Sequence, residues 1–122
     1  MAGKNIVLIE DDPGYLEVLT EILTGEGYNV TSGQTGFDLV DNMVDEKPDL
    51  VITDLMLPDL SGDKIVSTFQ KRDVLEGVPV IVLSSRDEED IRDAAKRLNA
   101  VEYMKKPVDN QKLIEAVKRH IG

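Results

Sequence analysis

The sequence has no cysteine, no tryptophan and one histidine, and basic residues are few beside acidic ones. Without cysteine there can be no disulfide, which fits a reducing compartment. Apolar runs are short: the longest, Val78 to Leu83, falls well below the length of a membrane span, and no signal-peptide pattern opens the chain. Lys and Arg total 14 against 24 Asp and Glu, a net charge of -10. Such a balance argues against direct nucleic-acid binding, because phosphate backbones repel it. It suits a divalent cation or a basic partner surface, and it also serves plain solubility. A chain of 122 residues suits one domain, here expected over residues 1–122, and should bury roughly two-thirds of its unfolded surface.

What is present is a strict alternation. Asn5 to Ile9 is a continuous apolar run, read as a strand buried on both faces. Glu10, Asp11 and Asp12 follow, then Pro13, the signature of a helix start with Asp12 as N-cap. Leu16, Leu19, Ile22 and Leu23 form one apolar face, ended by Gly25 and Gly27. Tyr28 to Thr31 is a more polar strand suited to a sheet edge. A second helix carries Phe37, Val40, Met43 and Val44. Leu50 to Thr53 is another buried strand, with Asp54 at its end and Pro58 and Ser61-Gly62 breaking the chain after it. Ile65, Val66 and Phe69 mark a third helix.

Val80 to Leu83 is a fourth strand ending in Ser84 and Ser85. Asp87 is placed to cap a helix whose inner face is Ile91, Ala94, Ala95 and Leu98. Ala100 to Met104 is a short fifth strand, followed by Lys105-Lys106-Pro107. Asp109 is placed to cap a last helix facing inward through Leu113, Ile114, Val117 and Ile121. Five strands alternating with five helices predict a doubly wound parallel α/β sheet covered on both faces, with right-handed crossovers. The two most apolar early strands should be central. The flavodoxin-like (βα)5 order 2-1-3-4-5 satisfies this and puts the topological switch point between strands 1 and 3.

The carboxyl ends of four strands then carry Glu10 and Asp11, Asp54, Ser84, and Lys106. Three carboxylates in one crevice raise one another's pKa unless a cation intervenes. Hard oxygen ligands suit Mg²⁺, which keeps several waters and takes one or two carboxylates with a phosphoryl oxygen. Ser84 can donate to a phosphoryl oxygen and Lys106 can meet one as a point charge. An aspartate between a metal and a lysine is a nucleophile toward phosphorus. The pattern describes an acidic, phosphoryl-accepting pocket. Each residue alone has a plainer reading: Asp54 as a helix cap, Lys106 as a surface lysine, Tyr103 as a packing aromatic, Arg86 as a surface charge. His120, in the last turn of the last helix, reads as a favourable charge at a helix C-terminus.

Over essentially its whole length the sequence resembles a two-component response-regulator receiver domain. The matching residues are Glu10-Asp11, Asp54 in DLVITDLMLPDLSG, Ser84 in VPVIVLSSRDEED, Tyr103, and Lys106-Pro107 in EYMKKP. The resemblance implies that Asp54 takes a phosphoryl group from a sensor histidine kinase or phosphotransfer protein. Glu10, Asp11, Asp54 and the main-chain carbonyl of Met56 would hold Mg²⁺, or Mn²⁺ in its place, with Glu10 acting through water. Ser84 and Tyr103 would be the switch residues, Lys106 would pair with the phosphoryl group, and the Lys106–Pro107 bond would be cis. The implied role is a cytoplasmic signalling switch with no membrane span, monomeric or dimerising on phosphorylation. It would act on a downstream protein or a fused output domain through the surface of the fourth helix, fifth strand and fifth helix. No output domain is expected within these 122 residues.

Two other classes compete. An aspartyl-nucleophile phosphatase wants a second aspartate two residues on as general acid, and Met56 stands there. A pure interaction module would not need the acid pair, Ser84 and Lys106 together. Departures from the family's usual residues occur at Ser85, Asn99 and Val108, and none removes a pocket group. The changes at 99 and 108 bear on partner choice and dimerisation. Met56 and Arg86 hold the two positions that tune dephosphorylation, and neither can position a hydrolytic water, so slow self-dephosphorylation is expected.

Overall fold

The computed structural model describes residues 3–38, 48–55 and 77–122. Val40, Met43 and Val44 of the expected second helix, and Ile65, Val66 and Phe69 of the third, lie outside the described residues, as does Met56.

Five strands, β1 (Asn5–Ile9), β2 (Asn29–Gly33), β3 (Leu50–Asp54), β4 (Val80–Ser84) and β5 (Glu102–Lys105), form one sheet. Its order is β2-β1-β3-β4-β5, parallel at every pairing, as the alternation predicts. β3 and β4 are buried along their whole length, whereas β2 is exposed at most positions and β5 is half-buried. The apolar strands therefore take the centre and the polar ones the edges, where one row of backbone groups faces outward.

Alternate side chains leave a strand on opposite faces, and the core divides accordingly. Val7, Ile9, Val51, Val80 and Val82 pack with Ile91, Ala94 and Leu98 of the Glu88–Leu98 helix on one face. Ile6, Leu8, Leu50, Ile52, Ile81 and Leu83 pack with Leu16, Leu19 and Leu23 of the first helix, Pro13–Gly25, on the other. Leu113, Ala116 and Val117 of the last helix, Asn110–Ile121, join this second core. Burying each such side chain contributes roughly 1.5–3 kcal/mol, so the sheet is held from both sides.

Caps set where the helices begin. Asp12 accepts from Gly14 N at 3.2 Å and Asp109 from Lys112 N at 3.0 Å. Asp87 occupies the same position before the Glu88–Leu98 helix in an extended conformation but makes no side-chain cap bond. Three acids in that helix's first turn, Glu88, Glu89 and Asp90, complement its dipole instead. Asn99 ends the helix at φ 56°, a left-handed conformation that Gly and Asn tolerate best. Asparagine in place of the family's common glycine is therefore a conservative change in backbone terms.

Asp49 fixes the start of β3 against β1. Its carboxylate accepts from Asn5 N at 2.7 Å and its own N–H donates to Asn5 O at 2.8 Å. Two expectations shift. β2 and β5 each begin later than the pattern suggested, because Tyr28 is drawn into the core and Val101 is left exposed before β5. Phe37, expected on the second helix, is helical and 71% exposed.

Candidate functional site

Strand register brings the polar residues together. Ile9 pairs with Thr53 across β1 and β3, so Glu10 and Asp54 are the next residues on neighbouring strands. Asp54 pairs with Leu83, and Ser84 with Lys105. Each step toward β5 moves the polar residue one position along, and Lys106 follows the last pair. Lys106 N donates to Ser84 O at 2.8 Å, which fixes the turn after β5 against the end of β4.

The carboxylate oxygens of Glu10, Asp11 and Asp54 converge within 4.8 Å of one another. Parallel strands lie about 4.8 Å apart, so this crowding follows from the register. Glu10 and Asp54 are buried, at 1% and 4% exposure, while Asp11 is open to solvent. The Lys106 ammonium forms ion pairs with both Glu10 and Asp54. Oε2 of Glu10 accepts from Asp12 N at 3.3 Å. Oε1 is buried and meets the Lys106 ammonium.

The charges are unbalanced. Burial, and then the hydrogen bond with Asp11, push the Glu10 carboxyl up to about 7, although Lys106 pulls it the other way. Asp11 is held below its ordinary value, first by that same bond. Burial works against the Lys106 ammonium, but its pairs with Asp54 and Glu10 together outweigh it and raise its pKa. One lysine therefore does not neutralise three carboxylates. Crowded hard-oxygen donors that Lys106 alone does not neutralise fit a small divalent cation.

A cleft of about 580 Å³ opens over this cluster, lined by Glu10, Asp11, Asp12, Tyr15, Asp54, Ser85, Lys106 and Pro107. It is large enough for a hydrated ion and a phosphoryl group. The Lys106–Pro107 peptide is cis.

Not every expected residue lies on that wall. Ser84 is fully buried, and its Oγ accepts from Arg86 N at 3.1 Å, while its neighbour Ser85 faces the cleft. Tyr103 packs against the core formed with the Glu88–Leu98 helix and lines two other clefts, of about 340 and 290 Å³. The Tyr103 hydroxyl beside Arg92 raises the guanidinium pKa. The main-chain carbonyl of Met56 lies outside the described residues. His120 has a specific partner beyond the helix end: Nε2 lies 3.3 Å from Oε1 of Glu102, which also pairs with Arg119.

Sequence reasoning passed over Tyr15. It stands in the first turn after the Asp12 cap, and so at the carboxyl end of the sheet. Its ring centroid is 5.5 Å from the Lys106 ammonium, and its hydroxyl accepts from Val108 N at 3.0 Å. An aromatic in the first turn of a helix that starts beside an acid cluster is the signal that was available.

Comparison with known proteins extends the picture. Residues 6–118 match the family described as the response regulator receiver domain. The chain is 34% identical over 113 residues to the transcriptional regulatory protein GlrR of Escherichia coli (strain K12). That match covers 93% of this chain but spans only about a quarter, 25%, of GlrR. It is 31% identical over 112 residues to protein PilH of Pseudomonas aeruginosa, covering 92% of this chain and 93% of that one. Among solved structures, it is similar to the receiver domain of a sensor histidine kinase of Pseudomonas aeruginosa PAO1. The TM-score is 0.88 and the identity 27%, over 99% of each chain. That structure has a magnesium ion coordinated in its active-site cleft.

Proposed function

The chain belongs to the response regulator receiver-domain family, and from that premise we propose that Asp54 accepts a phosphoryl group from a phosphohistidine. The donor is a sensor histidine kinase or a phosphotransfer protein. The observation that carries this reading is the convergence of the Glu10, Asp11 and Asp54 carboxylates within 4.8 Å, with the Lys106 ammonium paired to two of them.

In this reading a carboxylate oxygen of Asp54 attacks phosphorus. The bond from phosphorus to the donor imidazole nitrogen breaks, and its electron pair leaves with the imidazole. Glu10, through water, with Asp11, Asp54 and the carbonyl of Met56 would hold Mg²⁺, or Mn²⁺ in its place. When bound, the ion neutralises charge on the phosphoryl oxygens. Lys106 transfers its contact from the Asp54 carboxylate to the incoming phosphoryl oxygen, a change of partner at nearly fixed position. The chain assists its own phosphorylation and dephosphorylation and does not turn over a substrate repeatedly.

Ser84 and Tyr103 carry the signal outward. Ser84 gives up its bond from Arg86 N and donates to the phosphoryl group. Tyr103 changes rotamer into the vacated space. The position of Tyr103 between two clefts, against the Glu88–Leu98 helix on one side and the last helix on the other, supports output through that surface. The phosphoryl charge biases an existing equilibrium, and a tenfold shift needs only about 1.4 kcal/mol of differential interaction. The recipient is a downstream protein or a fused output domain, and the domain works in the cytoplasm as a monomer or as a dimer formed on phosphorylation. Residues 1–122 are taken as one receiver domain.

Mass spectrometry after incubation with Mg²⁺ and a small phosphodonor should show one added phosphoryl group, and none in Asp54→Asn. Persistence of the added mass in that variant would remove Asp54 from the role.

A further inference from the structure

Lys106 must sit between two buried carboxylates, yet it projects from the turn after an edge strand. β5 has a neighbour on one side only, and Lys106 itself is half-buried. A lysine side chain is long and rotamer-rich, so its placement requires restraint from outside its own strand. Beyond its ion pairs with Glu10 and Asp54, two further contacts help supply it, and both come from one residue. The Tyr15 ring lies 5.5 Å from the ammonium, within range of an attractive cation–π contact. The Tyr15 hydroxyl accepts the Val108 N–H at 3.0 Å, two residues beyond Lys106. Tyr15 thus holds both the tip of the lysine and the backbone that carries it.

Resting on the phosphorylation reading above, we propose that Tyr15 is the positioning residue for Lys106. The ring seats the ammonium over Glu10 and Asp54, and the hydroxyl fixes the turn from Lys106 to Val108. The two parts act separately. The ring faces the charge that a phosphoryl group will meet, so it governs reactivity. The hydroxyl anchors a backbone already held by the bond from Lys106 N to Ser84 O, so it governs the local order of the turn.

The experiment compares wild type with Tyr15→Phe and Tyr15→Leu. Nuclear magnetic resonance reads the Lys106 ε-methylene shift and Val108 amide exchange, calorimetry reads Mg²⁺ affinity, and a small phosphodonor reads the phosphorylation rate. Tyr15→Phe should keep the ring-current shift at Lys106 and exchange the Val108 amide faster, with a loss of phosphorylation rate smaller than that of Tyr15→Leu. Tyr15→Leu should lose the ring-current shift and slow phosphorylation by about tenfold, with Mg²⁺ affinity within about twofold. A general packing defect would lower Mg²⁺ affinity and rate together and would not spare Tyr15→Phe.

An unchanged Lys106 resonance in Tyr15→Leu would overturn the proposal, as would equal losses of rate in the two variants. If Tyr15→Leu does not fold, Tyr15→Phe still decides the hydroxyl's part, and Tyr15→Trp, which restores a ring, decides the other. Should the wild type take up no phosphoryl group, the functional reading fails, while the Lys106 and Val108 resonances still judge Tyr15.

Discussion

Lys106 and Asp54, 52 residues apart in sequence, form a direct ammonium–carboxylate ion pair at the floor of the cleft. The same ammonium meets Glu10, so one cation links the ends of β1 and β3 to the turn after β5.

Replacing Lys106 with methionine should remove the ammonium that pairs with the two buried carboxylates of Glu10 and Asp54. Removing one partner of a buried pair costs several kcal/mol. The lysine keeps some solvent contact, so a loss of about 2–4 kcal/mol is expected in urea unfolding at neutral pH without metal. The loss should shrink in acid, where Glu10 is protonated, and shrink again with Mg²⁺. A loss independent of both pH and Mg²⁺ would show that the pair is not its source.

Stability should fall between about pH 4.5 and 7 when the metal is removed. Glu10 keeps its proton up to about 7 in the folded chain but ionises near 4.5 when unfolded. The folded state therefore binds the extra proton in that window, and raising the pH penalises it. Asp11 acts in the other direction in a lower window: its contribution is present above 3.8 and lost as pH falls beneath it. Lys106 contributes below 10.5 and loses that contribution as pH rises through its raised folded value. Urea midpoints with a chelator at about pH 5 and pH 8 check the Glu10 window, and a rising midpoint would contradict it. In the proposed site Mg²⁺ would need Glu10 ionised, so its apparent affinity should weaken below about pH 7 with proton release on binding.

Phosphorylated protein should lose its phosphoryl group slowly, because neither Met56 nor Arg86 is a small polar residue able to place a hydrolytic water. Met56→Asn should shorten the lifetime, read as decay of the phosphorylated mass after the donor is removed. A wild-type half-life of seconds would contradict this.

Asn99→Ala should cost about 1 kcal/mol, the penalty for a β-carbon in the left-handed region. Asn99→Gly should be near neutral, since glycine gains backbone ease there and loses entropy on folding. Thermal unfolding distinguishes the two, and equal effects would mean the backbone conformation is not what asparagine supplies.

The strand order and the acidic site could be read in advance because both rest on short-range patterns. Val51 and Ile52 declare a doubly covered strand, and any polar residue just beyond such a strand falls at the ligand-binding edge. Glu10, Asp11, Asp54 and Lys106 needed only the correct strand order to meet. The resting position of Ser84 was not legible, because its Oγ chooses between the cleft and Arg86 N, and a sequence carries no information on that choice. Tyr15 escaped for a related reason. Its two partners lie 91 and 93 positions away, and no helical or strand period joins residues so far apart.

The route of the chain through the sheet gives the site a built-in sequence of assembly. A nascent polypeptide acquires its carboxylates from β1 and β3 early, and their cationic partner only after β5 has been made. A chain cut just before Glu102 should therefore lack the ammonium that pairs with Glu10 and Asp54. Such a truncation should remain unlabelled by phosphodonors even at high Mg²⁺, and labelling equal to that of the intact chain would refute this. Competence to receive a signal would then certify that β5 and the turn after it are in place.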